Sequence, residues 1–387
     1  MLPFSGTLIS FRSLISFRQC GRGALALGLP EKIADLESEI ERTQVNKATE
    51  HHLALVKAKL SRLKAEQSSG GKKGAASGFD VKKAGNSTVV FIGLPSTGKS
   101  TLLNALTGAH SKEAAYAFTT LACVPGMMQF KGADIQLLDL PGIIAGAREG
   151  RGRGKEVLAV ARNADLVLLL VDCFDPYYAA KLRGELYGIG IRLDCQPPNV
   201  VVHRTEGGGV YVHFDKPSGR LSAKTVTGIL NEYGIFNANV AVRDDVGPDE
   251  FIDVVAGNRK YIPSLVVLNK VDLMKREQLR GLDVGRQFVA VSAQKRLNLD
   301  ALKEAIYASL KLIRVYTKSR FDGVDKDEPL IVRDGSTLGD ACRQVHRGLR
   351  ENFKYALVWG PSAKHPGQRV GINHRLRDGD VFFVHGK

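Results

Sequence analysis

The most constraining feature of this sequence is a glycine-rich segment at residues 93–100, which reads Gly-Leu-Pro-Ser-Thr-Gly-Lys-Ser. It fits the pattern G-x-x-x-x-G-K-[ST] and lies between the apolar run of residues 88–92 and the helical pattern of residues 101–106. A buried strand that leads through a glycine-rich turn into a helix directs backbone N–H groups and the positive end of the helix dipole at one point. The sequence therefore predicts an α/β sheet with a phosphate-binding loop at the end of its first strand.

The residues of this loop have separate expected roles. The side chain of Lys99 would reach the β- and γ-phosphates of a nucleotide, and the Ser100 hydroxyl would be a ligand of Mg²⁺. The alternative is a strand-to-helix turn with a chance lysine, and the flanking strand and helix patterns argue against it. The loop residues expected to contact the nucleotide are Gly93, Pro95, Ser96, Thr97, Gly98, Lys99, Ser100 and Thr101.

A second motif, Asp139-Leu-Pro-Gly142, ends the strand pattern of residues 135–139. Carboxyl ends of parallel strands share one edge of a sheet, so Asp139 is expected near the phosphate loop, where it can hold the Mg²⁺ shell. The N–H of Gly142 can approach the γ-phosphate because glycine has no Cβ. The expected nucleotide contacts of this motif are Asp139, Leu140, Pro141 and Gly142.

Between these motifs, residues 116–121 read Tyr-Ala-Phe-Thr-Thr-Leu and are expected to form a loop whose order depends on the nucleotide. A hydroxyl from this loop would complete the Mg²⁺ shell only when the γ-phosphate is present. We expect Thr120 to supply it, with Thr119 as the alternative and Phe118 as a further contact. A β-turn role for both threonines stays open. Lys99, Thr120 and Gly142 are thus the expected catalytic residues.

The segment Asn269-Lys-Val-Asp272 follows another apolar strand pattern and indicates which base is bound. A carboxylate at Asp272 can accept hydrogen bonds from N1–H and the exocyclic amine of guanine, and adenine presents no such donor pair. Asn269 is expected to tie this segment to the phosphate loop, and the Lys270 stem to pack over the ring plane. Ser292 and Ala293 would close the pocket, with the Ala293 N–H directed at guanine O6.

The middle of the chain alternates apolar strands with helical stretches, as is typical of a mainly parallel α/β sheet. Residues 139 and 269 are 130 positions apart, whereas two βαβ steps need only about 60. We therefore predict that a nucleotide-binding domain of residues 86–312 is interrupted by a small α/β domain at residues 176–258.

The N-terminal region reads as two segments. Residues 29–85 show apolar positions at helical spacing and then a flexible stretch, which predicts a helical hairpin and a linker. From residue 57 to residue 83 there are eight basic residues and two acids, a charge that fits either a solvated helix face or an arm that contacts RNA. Residues 1–28 contain no acid and predict a disordered or non-native extension, with a targeting segment as the alternative.

The C-terminal residues 313–387 show short strand patterns around one helical pattern, as in a β-grasp domain. Residues 343–377 contain eight basic residues and a single acid, which predicts a basic surface. Phe353, Tyr355 and Trp359 lie at alternating positions of a strand pattern, and we expect them to pack in the core.

The composition favours a polyanionic partner. The formal charge is +15 over 387 residues, and surplus lysine and arginine attract phosphate backbones or anionic lipid. We expect RNA or a ribosome as the partner, and no DNA. Five scattered cysteines without a C-x-x-C pair argue against a disulfide framework or a thiolate metal site. No apolar run is long enough to span a membrane. These features predict a cytoplasmic protein without a membrane partner.

In these motifs the chain resembles the Drg proteins, the developmentally regulated GTP-binding branch of the Obg family of translation-factor-type GTPases. The resemblance runs from about residue 29 to the C-terminus. It rests on residues 93–104, 118–121, 139–154 and 269–272, and on the opening helices at residues 29–37 and 46–52.

The resemblance implies GTP and GDP as ligands, Mg²⁺ as cofactor, and a TGS domain at the C-terminus, a β-grasp module associated with RNA or ribosome contacts. It leaves open a Drg-family regulatory protein as partner and K⁺ as a further cofactor, for which Ser96 is the nearest candidate. Two departures stand out: residues 1–27 have no recognisable counterpart, and Thr97 replaces a frequent valine. We expect the threonine to change little, since this position contributes chiefly backbone.

Ile143 occupies the position where many GTPases carry a glutamine that orients water. An apolar side chain cannot do this, so the sequence predicts slow hydrolysis of GTP to GDP and phosphate, in a switch that acts on ribosomes or RNA. One alternative is an Obg-related ATPase, against which Asp272 argues. The other is a ribosome- or RNA-binding scaffold with a vestigial site, against which the complete phosphate and Mg²⁺ set argues.

Overall fold

The computed structural model describes residues 28–69, 83–107, 124–140, 160–161, 163–216, 219–275, 277, 288–319, 323–324 and 328–386. These residues form a helical hairpin, a six-stranded and mainly parallel sheet, a three-stranded mixed sheet and a C-terminal mixed sheet. None of the helices in the described ranges is both long enough and apolar enough to cross a membrane.

The central sheet has the strand order β11-β10-β4-β1-β3-β2, in which β2 is antiparallel to β3 and the other pairs are parallel. Its strands are β1 (Ser87–Gly93), β2 (Val124–Phe130), β3 (Ala133–Asp139), β4 (Leu166–Asp172), β10 (Ser264–Asn269) and β11 (Phe288–Ala290). Its helices are α3 (Lys99–Thr107), α4 (Tyr178–Gly188) and α7 (Leu299–Ser309), and a small parallel pair, β5 (Ile191–Leu193) with β9 (Lys260–Ile262), lies beside it.

Continuous apolar strands explain this arrangement. Strand β1 is buried along its whole length and β4 along nearly all of it, so both faces of the sheet need cover. One core cluster packs α3 and α7 against one face, and a second packs α4 against the other. The register pairs Asn269 with Asp172 and Phe91 with Asp139. The polar residues that end these strands therefore lie along one edge of the sheet.

The helical hairpin consists of α1 (Leu29–Arg42) and α2 (Glu50–Ser69). Ile33 and Leu36 of α1 pack against Val56 and Leu63 of α2, which is the apolar pattern that predicted the hairpin. Three basic side chains of α2 form ion pairs within the chain: Lys57 with Asp249 at 2.8 Å, Lys64 with Glu37 at 2.6 Å, and Arg62 with Glu66 at 3.6 Å. Part of the predicted basic arm is thus neutralised inside the molecule.

The three-stranded sheet has the order β6-β8-β7, with β6 (Val200–Arg204), β7 (Val210–Phe214) and β8 (Ala238–Val242). Helices α5 (Ala223–Glu232) and α6 (Pro248–Ala256) pack on it around Val226 and Phe251. Helix α4 lies within the range predicted for the insertion, yet its Leu182 packs on the central sheet. The separate core therefore begins near β6, after α4.

The C-terminal sheet has the order β13-β12-β17-β15-β16, and β14 pairs with β12 outside that path. Its strands are β12 (Leu312–Ser319), β13 (Gly323–Val324), β14 (Leu330–Arg333), β15 (Phe353–Trp359), β16 (Gln368–Val370) and β17 (Asp380–Gly386). The helices are α8 (Leu338–Val345) and α9 (Arg347–Glu351). Together these units confirm the predicted fold class: a P-loop GTPase domain, a helical hairpin, a small inserted α/β domain and a β-grasp TGS domain.

The expectation that the β15 aromatics all pack in the core is wrong for two of them. Ala356 and Val358 face the core beneath α8, so the alternation of a strand places Tyr355 and Trp359 on the opposite face. The register of β15 with β17 shifts between Phe353 and Tyr355. Because of this irregularity Phe353 packs against the core despite its odd-numbered position.

Candidate nucleotide site

The phosphate loop joins the end of β1 to the first turn of α3. A Cβ on Gly93 would collide with the carbonyl oxygen of Leu170, and Gly98 has a φ of +86°, so both positions require glycine. The ammonium of Lys99 is folded back into the loop, where it donates to Gly93 O at 3.1 Å and Leu94 O at 2.8 Å. Burial lowers the pKa of Lys99, and the nearby carboxylate of Asp139 partly opposes that shift.

The structure brings together Ser100 and Asp139, the two predicted Mg²⁺ ligands among the described residues. The Ser100 hydroxyl donates to Asp139 Oδ2 at 2.6 Å, and the other oxygen, Oδ1, is buried without a hydrogen-bond partner among the described residues. A buried carboxylate oxygen without a donor is costly unless a cation or a water satisfies it. A hydroxyl and a carboxylate are oxygen ligands of the kind that Mg²⁺ uses beside nucleotide phosphates. The residues present therefore fit a Mg²⁺ ion.

Asn269 connects the base side of the site to the phosphate loop. Its side-chain Nδ2 donates to the backbone oxygen of Thr97 at 2.8 Å, and its Oδ1 accepts from the Ala293 N–H at 3.0 Å. Asn269 is 2% exposed, so both bonds are made in the interior. A Cβ on Gly98 would lie 2.5 Å from Nδ2, which is a second reason for glycine there.

One expected contact differs in the structure. The Ala293 N–H does not stand free for guanine O6, because it donates to Asn269 Oδ1. A buried N–H needs an acceptor, and the Asn269 amide oxygen is within reach. Ser292 is fully buried, and its hydroxyl accepts from the Lys295 N–H at 3.1 Å. Both residues therefore shape the base side by holding the backbone around Asn269.

The other residues of the base segment are held by the end of β4. Lys270 has a left-handed backbone, with φ of +63°, and its ammonium pairs with Asp172 at 2.6 Å. Burial raises the pKa of Asp172, but the Lys270 ammonium and the Phe174 N–H outweigh it and leave the pKa below the usual value. Asp272, two residues after Lys270, lies half-buried in the short 3₁₀ turn Val271–Leu273.

Three family descriptions match the chain after the helical hairpin. "50S ribosome-binding GTPase" matches residues 88–203, "C-terminal region of MMR_HSR1 domain" matches residues 207–312, and "TGS domain" matches residues 313–382. Human developmentally-regulated GTP-binding protein 2 is 45% identical over 361 residues, which cover 92% of this chain and 99% of that protein. This chain belongs to the developmentally regulated GTP-binding (Drg) protein family.

Other relatives extend the Drg comparison. An uncharacterized GTP-binding protein of Methanocaldococcus jannaschii is 48% identical over 384 residues, 97% of this chain and 98% of its own length. Among solved structures, the YchF GTPase of Schizosaccharomyces pombe matches with a TM-score of 0.40 and 13% identity, over 79% of this chain and 99% of that one. The family resemblance stated from the sequence is thus confirmed by the curated relatives.

Several predicted site residues of this Drg protein lie outside the described residues. They are the loop residues Phe118, Thr119 and Thr120, the second-motif residues Pro141 and Gly142, and Ile143. The phosphate-loop residues Pro95, Ser96 and Thr101 are exposed. Leu140 of the second motif is buried. The roles given to all of these residues stay predictions.

Two features of this Drg site were missed in the sequence. Asp172 ends β4 at the same sheet edge as Asp139 and Asn269, and the edge rule for parallel sheets could have pointed to it. Cys173 follows it, and its thiol donates to Lys270 O at 3.2 Å. Burial raises the pKa of Cys173 to about 11, which disfavours the reactive thiolate form.

Proposed function

We propose that this chain hydrolyses GTP slowly and acts as a GTP-dependent switch on ribosomes or RNA. The observation that carries the proposal is the double hydrogen bonding of Asn269, which fixes the base-side segment to the phosphate loop. A nucleotide must touch both parts at once, so their fixed spacing supports binding of a whole guanine nucleotide. The membership of the Drg family supports the same ligand.

The residues of the site suggest how each part of GTP is held. Loop N–H groups and the first turn of α3 would receive the phosphates. The Lys99 ammonium, which donates to two loop carbonyls, would turn to the β- and γ-phosphate oxygens. Ser100 and Asp139 would hold Mg²⁺, which neutralises charge that develops on the phosphates. Asp272 would accept the two donors on the guanine edge.

Slow turnover is expected because the chain lacks a glutamine directly after Gly142. Ile143 stands directly after Gly142, and an isoleucine cannot orient a water by hydrogen bonding. Ras carries a glutamine for that purpose and alone turns over at only about 10⁻⁴ s⁻¹. We therefore expect intrinsic hydrolysis to be no faster and a bound partner to accelerate it.

The ribosome or RNA partner is supported by charge and by family. The chain carries +15 overall, and surplus lysine and arginine attract phosphate backbones. The family description that matches residues 88–203 names a 50S ribosome-binding GTPase, and we extend that property to this chain as part of the proposal.

The test is single-turnover hydrolysis of GTP by the full chain, with and without purified ribosomes. We expect slow hydrolysis alone and stimulation by ribosomes, and Lys99→Ala should abolish both while Lys224→Ala, an exposed lysine on α5, should change neither. Parallel reactions in K⁺ and Na⁺ buffers decide whether K⁺ is a cofactor. A fast unstimulated rate, or a Lys99→Ala variant that behaves like wild type, would contradict the proposal.

A competition experiment separates the GTPase from an ATPase. Labelled GTP should be displaced by unlabelled GTP and GDP but not by ATP, because Asp272 matches only the guanine donors. Equal displacement by ATP would overturn the assignment of the base.

A further inference from the structure

The face of the C-terminal sheet opposite α8 is covered at its β14 end, where Leu312 and Ile331 pack in the same cluster as Tyr307 of α7, and we find no helix among the described residues that packs on the rest of it. Helix α8 packs over the other face, where Leu338 and Ala341 meet Val358 and Phe382. We call the side opposite α8 the outer face; away from its β14 end, its strand residues include Tyr316 and Lys318 of β12, Tyr355, Leu357 and Trp359 of β15, Arg369 of β16, and Phe383 and His385 of β17. It combines aromatic rings with cations.

The rings and cations of the outer face form two clusters. In the first, the Arg369 guanidinium lies 4.0 Å from the Tyr355 ring centroid, and Tyr355 stacks on His385 with centroids 4.4 Å apart. Phe383 meets His385 edge to face at 4.6 Å. In the second cluster, the Lys318 ammonium lies 4.7 Å from the Trp359 ring. The rings thus hold the cations in place on the surface.

Two cations of this face are not paired with a described acid, whereas Arg314, at the β14 end of β12, pairs with Asp378 at 2.7 Å. Strands β12, β15 and β16 contain no acid, and Asp380 of β17 is fully buried, where it accepts from Arg377 N and Ser362 N. Lys318 and Arg369 are exposed, and neither forms an ion pair with an acid among the described residues. By contrast, Arg343 on the helix side pairs with Asp340 at 3.7 Å.

We propose that the outer face binds a single-stranded segment of RNA, so that Arg369 and Lys318 contact its phosphates and the outward plane of the Arg369 guanidinium stacks on a base. The central carbon of that guanidinium lies over the Tyr355 ring, so the side of the exposed guanidinium away from the ring, with its N–H donors, is open to a ligand. Single strands offer both a π surface and a phosphate to such a site. An acidic peptide would match the charge and leave the stacking plane unused.

This inference rests on the proposed function and locates its RNA contact. Lys57, Arg62 and Lys64 of α2 pair with acids of the chain itself, so the N-terminal arm offers fewer free cations than its sequence suggested. The basic residues of the C-terminal domain divide between two faces, and on the outer face two cations without a described acidic partner lie beside half-buried rings.

The experiment measures binding of the full chain to a fluorescein-labelled, random-sequence RNA pool of about 16 nucleotides by anisotropy. The double variant Lys318→Ala/Arg369→Ala should weaken binding at least about tenfold and lower the slope of log affinity against log salt by about 1.4, since two phosphate contacts are lost. The single variant Arg369→Lys keeps the positive charge and loses the planar guanidinium. It should therefore show the salt dependence of wild type, with an affinity between those of wild type and the double variant.

The matched control is Arg343→Ala/Arg350→Ala, which removes two cations from the helix side of the same domain. It should leave RNA affinity within about twofold of wild type. All variants should bind a fluorescent GTP analogue like wild type and show the same thermal unfolding, which excludes misfolding. The proposal would be overturned if the control pair lost more RNA affinity than the outer-face pair. It would also be overturned if polyglutamate displaced the labelled RNA as effectively as unlabelled RNA does.

Cosedimentation with ribosomes separates this inference from the proposed function. If wild type and the Lys318→Ala/Arg369→Ala variant cosediment equally with ribosomes in the GTP state, the outer-face assignment fails and the switch on ribosomes stands. If wild type binds neither RNA nor ribosomes in either nucleotide state, both fail. If the Lys318→Ala/Arg369→Ala variant loses ribosome binding and wild type keeps it, the outer-face assignment and the proposed switch on ribosomes are both supported.

Discussion

Asp272 is the residue on which the choice of base depends. Xanthine carries a carbonyl where guanine has its exocyclic amine, so the amide of an Asp272→Asn variant would donate to xanthine and lose its bond to guanine. We expect the variant to lose roughly 10⁴-fold in preference for GTP over XTP. Competition binding with GTP, XTP and ATP measures this. Asp300→Asn, an acid 94% exposed on α7, is the control, and an unchanged preference in Asp272→Asn would refute the role.

Thr97 shows how a residue can serve the site through its backbone alone. Its carbonyl accepts from Asn269, while its hydroxyl donates to Leu94 O at 2.8 Å, an acceptor that Lys99 also uses. Thr97→Val should therefore cost only about 1 kcal/mol in the free energy of unfolding and leave GTP affinity unchanged. Urea unfolding and nucleotide titration check both. A large loss of GTP affinity would mean that the hydroxyl itself contacts the ligand.

At the scale of elements, helix α6 is fixed by a buried charge cluster. Asp253 accepts from Arg192 of β5 through both carboxylate oxygens, at 2.6 and 2.8 Å, and from Arg259 at 2.8 Å. Arg259 also donates to Ser61 of α2 at 3.0 Å. The cluster thus joins the hairpin, the inserted domain and the strand pair beside the central sheet, and Asp253 is its common acceptor.

We expect Asp253→Ala to destabilise the protein by about 3–5 kcal/mol, because two arginines would lose a partner in the interior. The side chains of Asp253 and Arg192 are only 5% and 8% exposed. The matched comparison is Glu304→Ala, which breaks the surface pair with Lys131, at 53% and 36% exposure, and should cost at most about 1 kcal/mol. Chemical denaturation measures both, and similar losses would show that the cluster contributes no more than a surface pair.

These elements also show what the sequence could predict. The phosphate loop, Asp139 and Asn269 were predictable because each sits at a strand end with a local pattern, and parallel topology collects strand ends at one edge. The Asp253 cluster was not, since its members are far apart in sequence and no pattern links them. The alternation of β15 predicts which of its residues share a face, but both faces carry apolar residues. Tyr355 and Trp359 could therefore be assigned to the outer face only once the position of α8 was known.

At the scale of the whole molecule, Asp165 joins the central sheet to the C-terminal domain. Its carboxylate accepts from the Thr88 N–H of β1 at 2.9 Å, from Lys83 at 3.0 Å, and from Arg333 of β14. The two domains also touch where the Gly132 turn meets Pro329, and a Cβ on Gly132 would lie 2.5 Å from the Pro329 ring. Asp165 is thus the charged part of a close-packed junction.

The charge of Asp165 makes this junction sensitive to acid. Burial raises the pKa of Asp165, but the hydrogen bonds from Thr88 and Lys83 and the charge of Arg333 outweigh it, so the folded-state pKa lies below the usual value. An acid with a depressed pKa stabilises the fold fully above its unfolded pKa, about 3.9, and loses that contribution as the pH falls through the folded pKa. The Tm of wild type should therefore fall more steeply below about pH 4 than that of Asp165→Asn, which has no charge to lose. The variant should have the lower Tm at neutral pH, and the two curves should converge in acid. Parallel curves over the whole range would show that the Asp165 carboxylate does not couple the two domains.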